Sequence, residues 1–457
     1  IWLIFFPYQS LTCWCHRAEA LVNNKNLWGT VTIHKTKTTL GYQLPQVSQR
    51  NTLLAISSPP TKHSTSSKIM SSQQTDSSNS DVNSTPISTL ASNAIHKIEE
   101  RIGRDEGGRG MRHLVVPGDL LRAAETLARL RASDNGDDDN RAHVVVLSGF
   151  PCRVNDDPPT ETDGPPGALA IARAAVGLGH RVTIVTDTCN EKVFRAACRD
   201  VGMWATTSDD SSSSPLMTLE AYPSEESMTE EDRIKMNRLA LRNKGCDLVI
   251  ACERAGPAQD GRCYTMGGID MNAKDLIAPL HQIVMDEKSA TENEETQGLV
   301  RFIGVGDGGN EMGMGKVLES VRTHIKNGSK IAAVTPADCL IAASVSNWGG
   351  YALGAAAAVV RYDDQVRGCY HQKDSEKAAA VDLRGWVERC VPTEQDEIEL
   401  LDRCVQAGCR DGVSGKMEST VDGMPLETSL NCLREIRSAA LSMETEEEGE
   451  IIACTFE

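Results

Sequence analysis

Aromatic residues make up only 4% of the 457-residue chain. That scarcity argues against an aromatic-filled sandwich and for helices layered on a sheet through small aliphatic side chains. The fifteen cysteines include no CxxC pair, so the common zinc-ligand spacings are missing. Their scatter through a long chain reads as reduced thiols in an intracellular compartment. The ten histidines form neither HxxxH nor HxH, which disfavours zinc hydrolysis. No run of 18 apolar residues occurs; the stretch YALGAAAAVV (351–360) is too short to span a bilayer and reads as a buried helix. Positive charge is also in deficit, 47 Lys and Arg against 64 Asp and Glu, for a net charge of −17. A surface this acidic repels phosphate backbones, so neither nucleic acid nor a membrane is an expected partner.

What is present divides into a leader and a folded region. The first methionine is Met70, and the residues before it carry seven Lys/Arg against one acidic residue, Glu19. Two readings stand for 1–69: an organellar transit segment, giving a mitochondrial address, or translated upstream sequence before a start at Met70, giving a cytoplasmic one. Residues 70–87 are polar and low in complexity, and disorder is expected there. The folded domain is assigned to 88–457. Helix spacing predicts helices over 88–102 and 117–132. From 143 the pattern alternates. Short apolar runs at 143–149, 181–187, 244–256, 300–306 and 330–338 read as buried strands. Helical stretches at 167–179, 190–199, 316–326 and through 360 lie between or after them. Segments 207–230 and 286–297 read as inserted loops. The alternation predicts an α/β fold, a doubly wound and mostly parallel sheet with helices on both faces. Ligands of such sheets bind beyond the carboxyl ends of the strands.

The loops at those strand ends carry the candidate chemistry. GVGDGGNEMGMGK (304–316) contains GxGxxG, yet Asp307 and Glu311 stand where a pyrophosphate needs bare N–H groups. The turn suits a cation, either a substrate ammonium or a metal ion; the competing reading is an ordinary turn capped by Asp307 and Asn310. TETDGPP (160–166) places Glu161 and Asp163 before a proline-stiffened helix start, suited to acid/base work, although Asp163 can serve as a cap alone. Glu253 and Arg254 end a strand, and Arg254 is the candidate for a bidentate carboxylate grip, against a local ion pair. Asp338 and Asn347 are further substrate-binding candidates, with Ser346–Trp348 expected to interrupt a helix. Asp411–Gly412 and Asp422–Gly423 read first as turns, compatible with a hairpin, and carry less functional weight. Cys152 has no histidine in the neighbouring loops to act as base and reads as a small buried thiol.

Six strings, SGFPC (148–152), TETDGPPGA (160–168), ERAGPAQDG (253–261), IGVGDGGNEMGMGK (303–316), SNWGGYAL (346–353) and DGVSG…TVDGMPLE (411–427), together resemble the D-glutamate cyclase family. The resemblance covers roughly 88–457 and implies the cyclase domain alone. It implies an intramolecular dehydration, in which the α-amine of D-glutamate attacks the γ-carboxyl carbon to give 5-oxo-D-proline. The family's animal members are mitochondrial, in keeping with the transit reading. The reaction requires a base for the ammonium, neutralisation of the γ-carboxylate and a bent conformer. The assignment that follows has Asp307 and Glu311 at the ammonium, Glu161 or Asp163 protonating the departing oxygen, and Arg254, with Glu253, Asn310, Asp338 and Asn347, binding substrate. The residues assign no definite cofactor. A divalent ion such as Mg²⁺ on Asp307, Glu311 and Asp163 is the alternative. Rival readings are another lyase or hydrolase of a small acidic metabolite, or a binding module without turnover. Assembly as a homo-oligomer is compatible with all of these.

Overall fold

The computed structural model describes residues 86–132, 140–199, 216–285, 300–372, 374, 377–378 and 380–454, with side chains described through Met443. The leader 1–69, nearly all of the linker 70–87, and the inserted loop 286–297 lie outside the described residues.

Six strands form one sheet: β1 (His143–Gly149), β2 (Arg181–Asp187), β3 (Met217–Tyr222), β4 (Leu248–Arg254), β5 (Phe302–Gly306) and β6 (Cys339–Ala342). Every neighbouring pair is parallel, in the order β3-β2-β1-β4-β5-β6. This is the 3-2-1-4-5-6 order of doubly wound folds, with its switch point between β1 and β4. The helices are α1 (Thr89–Ile102), α2 (Asp119–Arg129), α3 (Pro165–Gly177), α4 (Glu191–Cys198), α5 (Glu230–Asn237), α6 (Leu318–His324), α7 (Gly328–Ile331), α8 (Ser346–His371), α9 (Leu383–Cys390), α10 (Glu394–Gln406) and α11 (Leu426–Cys454). A two-residue hairpin, β7 (Thr420–Val421) and β8 (Met424–Pro425), turns at Asp422–Gly423, both with positive φ.

The period-2 geometry of the strands divides the core in two. Val144, Val146, Ile250, Ile303 and Ile341 pack against α1, α2, α3 and α8. Val145, Leu147, Val249 and Phe302 face the other way, onto Met236 of α5 and the turns around Leu280 and Ile283. Leu340 and Ala342 meet Val321 of α6 and Ile331 of α7. Helices therefore cover both faces, as the alternation predicted. No helix among the described residues is long and apolar enough to cross a membrane.

Three local expectations are corrected. The strand expected at 330–338 is instead β6 at Cys339–Ala342. Residues 333–336 pair with the loops after β5 and β4: Ala333 N–H donates to Gly309 O, Gly313 N–H to Thr335 O, and Val334 N–H to Pro257 O. Within the loop expected over 207–230, Met217–Tyr222 forms the edge strand β3, whose half-exposed middle hid its pattern; residues 207–215 lie outside the described residues. Ser346–Trp348 do not interrupt a helix; they begin α8.

The helices α3 and α8 cross where Gly350 meets Gly167. A Cβ on Gly350 would stand 2.5 Å from Gly167 O, against rigid backbone. This crossing fixes the N-termini of both helices, which hold the site described below. Gly350→Ala is expected to destabilise the fold by about 1–3 kcal/mol through overpacking. Urea denaturation checks this as a lowered midpoint with an unchanged slope.

Candidate active site

At the carboxyl edge of the sheet, over the β1–β4 switch point, lies a cleft of about 950 Å³. Its lining includes Glu161 from the loop after β1, Glu253 from the end of β4, Asp307 and Glu311 from the turn after β5, Asp422 from the β7–β8 hairpin, and Arg109 from the loop after α1. Four widely separated segments thus deliver acidic groups to one place, and a fifth brings the guanidinium.

Each carboxylate is held by a distinct local device. Asp163 lies just behind the floor and caps α8, its oxygens accepting from Ser346 N–H and Asn347 N–H at 2.9 Å each. It occupies the positive end of that helix's dipole. Glu253 has φ 43° in a strand, where the β1–β4 register shifts between Ser148 and Gly149. Such backbone is strained for a non-glycine residue. The strain turns Glu253 toward the cleft and Arg254 beneath the sheet edge, and Ser346 Oγ donates to Glu253 at 2.5 Å. Glu311 folds back on its own turn, accepting from Gly308 N–H and Gly309 N–H at 2.7 Å each. The amides that a dinucleotide's pyrophosphate would use are therefore already occupied by a carboxylate. Glu161 has room because residue 412 is glycine; a Cβ there would stand 1.9 Å from its Oε2.

One guanidinium ties the front of the cluster together. Arg109 Nη2 donates to Asp307, to Asp422 at 2.8 Å and to Ser344 O at 3.0 Å. Its Nε and Nη1 bind no other described residue. The loop that presents it is pinned by Asp105, which accepts from Arg109 N–H and Gly110 N–H at 2.9 Å each.

Burial dominates the electrostatics. It pushes Asp307 up to about 8, with Arg109 opposing and Glu311 reinforcing the shift. Asp163 is raised to about 7 by burial and by the charge of Asp422, against its helix-terminal hydrogen bonds. Burial and mutual repulsion push Glu161, Glu253 and Asp422 well above the usual carboxylate range. Like charges this close in a poorly solvated floor favour protonated forms, so near neutral pH the cluster can both donate and accept protons. The Cys152 thiol, in the same lining, is raised by burial and by Glu161, and so remains a thiol rather than a nucleophilic thiolate.

The structure brings together Asp307, Glu311, Glu161, Asp163, Glu253 and Asn310. Three other candidates are displaced. Arg254 is buried beneath the cleft, donating to Asp187, Gly149 O and Ala278 O, so it cannot grip a substrate carboxylate. Asp338 sits at the opposite edge of the sheet, accepting from Arg301 N–H and Phe302 N–H at 2.8 Å each, at the start of β5. Asn347 staples the acidic loop to α8: its Oδ1 accepts from Gly164 N–H at 2.9 Å and Gly167 N–H at 2.8 Å, and its Nδ2 donates to Thr162 O. Asn310 lines the cleft, but its Nδ2 is committed to Tyr264 O. The metal set also changes. One oxygen from each of Asp163, Glu253 and Asp307 lies within 4.8 Å of the others, so Glu253 takes the place expected for Glu311. Hard carboxylate oxygens of this kind suit Mg²⁺, Mn²⁺ or Ca²⁺.

Sequence reasoning missed Arg109 and Asp422 as site residues. The string RDEGGRGMR (104–112) held the first, and the hairpin turn held the second, where Asp–Gly is fully accounted for by turn geometry.

A family model described as D-glutamate cyclase-like, C-terminal, matches residues 98–437. The mitochondrial D-glutamate cyclase of Homo sapiens is 34% identical over 346 residues, covering 75% of this chain and 51% of that protein. The chain thus spans about half the length of this curated relative.

The crowded floor has a signature in stability. A carboxyl raised in the folded state favours folding below its unfolded pKa, near 4. That contribution is lost as pH rises through the folded value. With Asp163 at about 7 and Asp307 at about 8, the loss runs from about pH 4 to 8. In EDTA buffer, Tm is expected to fall between pH 5 and 8.5. Asp422→Asn keeps a residue that tolerates the left-handed turn. It should flatten that fall and raise Tm at pH 8.5 by about 2 °C. Parallel curves for the two proteins would contradict the repulsion.

Proposed function

The chain belongs to the D-glutamate cyclase-like family, and on that premise we propose that it closes D-glutamate into 5-oxo-D-proline with release of water. The observation that carries the reading is the floor of Glu161, Glu253, Asp307 and Asp422, with Asp163 just behind it, around the guanidinium of Arg109. The reaction takes two protons from an ammonium and gives two to a departing oxygen. A cluster that holds protons at neutral pH without a histidine matches that need.

In this reading the substrate ammonium sits at Asp307 and Glu253, with Asp307 as base. Glu161 is the acid for the departing oxygen, because Asp163 is committed to the amides of α8. Arg109 replaces Arg254 as the partner of the α-carboxylate, offering the N–H groups that the protein leaves unused. Glu311 and Asn310 shape the turn that presents Asp307. Holding the bent conformer against these groups supplies part of the barrier lowering. The new C–N bond forms as the C–O bond breaks, and the two protons leave as water. If a divalent ion binds, Asp163, Glu253 and Asp307 would hold it, and it would neutralise the γ-carboxylate as a Lewis acid. We infer the D configuration and a mitochondrial address from the relative's name; the cation-rich, acid-poor stretch 1–69 supports the address.

Incubation with D- and L-glutamate, with and without EDTA, followed by chiral chromatography of 5-oxoproline, tests the reading. D-specific product is expected. Absence of product from folded protein would overturn it, and the EDTA arm decides the ion. Asp307→Asn should lower kcat by about 10²–10⁴-fold with the fold retained. Gly412→Ala, whose Cβ would displace the Glu161 carboxylate, should lower kcat about tenfold or more with Tm nearly unchanged. Full activity in either variant would remove that residue from the mechanism.

A further inference from the structure

Free glutamate leaves much of this cleft unused. At about 950 Å³ its volume is near the top of the range for sites that bury drug-sized ligands. The acidic floor and Arg109 meet every charge on glutamate, and a departing water asks nothing of the outer wall. Yet that wall is not featureless. Arg112 and Lys326 line it, and among the described residues neither has a carboxylate partner. Arg153 joins them, paired with Asp156 at 3.0 Å. Unneutralised cations at one mouth are informative in a chain of net charge −17. Ile269 and Val413 line the same cleft while 48% and 63% exposed.

We propose that the cleft also accepts γ-D-glutamyl amides of apolar amino acids, expelling the amino acid in place of water. The carboxylate of the leaving amino acid meets Arg112 and Lys326, and its apolar side chain covers Ile269 and Val413. The proposal rests on the cyclase reading, because the glutamyl half uses the same floor. The α-amine attacks the same γ-carbon. The ring C–N bond forms, the amide C–N bond breaks, and the two protons lost by the ammonium are those the departing nitrogen gains. Nothing is oxidised or reduced, and no co-reactant is needed.

The test compares D-glutamate, γ-D-glutamyl-L-leucine and γ-D-glutamyl-isoamylamide, which is the same amide without the leaving carboxylate. Release of 5-oxoproline and of the amine is followed by chromatography. The leucine amide is expected to turn over with kcat/KM about fivefold or more above the isoamylamide. The double variant Arg112→Ala/Lys326→Ala should erase that difference while leaving D-glutamate turnover within about twofold. Turnover of D-glutamate with neither amide accepted overturns the inference and leaves the cyclase reading standing. No turnover of any of the three overturns both. Equal turnover of the two amides, or an unchanged difference in the double variant, overturns the carboxylate subsite.

Discussion

Six carboxyl groups, those of Glu161, Asp163, Glu253, Asp307, Glu311 and Asp422, crowd at or just behind one poorly solvated floor, and the rest of the structure is arranged to keep them there. Unscreened, carboxylates at such separations would drive their loops apart. Three counterweights oppose this. The amides at the start of α8 take Asp163, and those of the glycine turn take Glu311. The guanidinium of Arg109 spans Asp307 and Asp422. Protons retained by the raised carboxyls do the rest. The first two counterweights are backbone dipoles, which work only if the helix and the turn are rigidly placed. Hence the glycine-on-glycine crossing of α3 and α8, and the small residues along α8, which let that helix lie close to its neighbours.

The strained residue at the end of β4 follows from the same constraint. In a regular strand, consecutive side chains leave opposite faces. Here Glu253 must reach the cleft while Arg254 anchors the switch point from below, and the bulge opposite Ser148–Gly149 permits both. Arg254 and Asp187 are each 1% exposed, an ion pair shut away from water, with Ala278 O and Gly149 O completing the guanidinium's contacts. Such a pair contributes little net stability, but losing one partner leaves an unpaired buried charge. Its effect is to bind the loop after β4 to the ends of β1 and β2, so that the cleft has a floor of fixed height.

What could be read in the sequence, and what could not, follows the range of the forces involved. The apolar runs of β1, β2, β4 and β5 and the small-residue helix α8 are local patterns and were legible. So was the acidity of the 304–316 turn, which excludes a pyrophosphate. The edge strand β3 was not, because an edge strand half open to solvent carries little apolar pattern. Residues 333–337 misled because their backbone pairs with the loops after β4 and β5 rather than with a strand. Among the site residues, Asp307, Glu161 and Asp163 stand in strings with more carboxylates than a turn needs. Asp422 stands in a turn that Asp–Gly explains in full, so nothing local marked it as functional. Arg109 comes from a loop almost 200 residues before Asp307, and only the fold brings the two together. Arg254 looked like the anion grip because strand position gives no warning of a bulge that reverses which side a residue faces.

The strand order and the glycine turn are those of folds that bind dinucleotides, but the positive potential that such a ligand needs is cancelled in this chain. In a dinucleotide site, the turn amides and the helix N-terminus after the first strand carry uncancelled positive potential, and an anion completes them. Here the turn lies after β5 and Glu311 completes it from within; the helix start at α8 is completed by Asp163. With both sources of positive potential occupied by the protein's own carboxylates, what remains at the floor of the cleft is a surplus of negative charge moderated by the guanidinium of Arg109. Such a surface attracts an ammonium and a proton. The same backbone frame thus carries the opposite sign of charge through a few side chains, which is why fold alone does not determine chemistry.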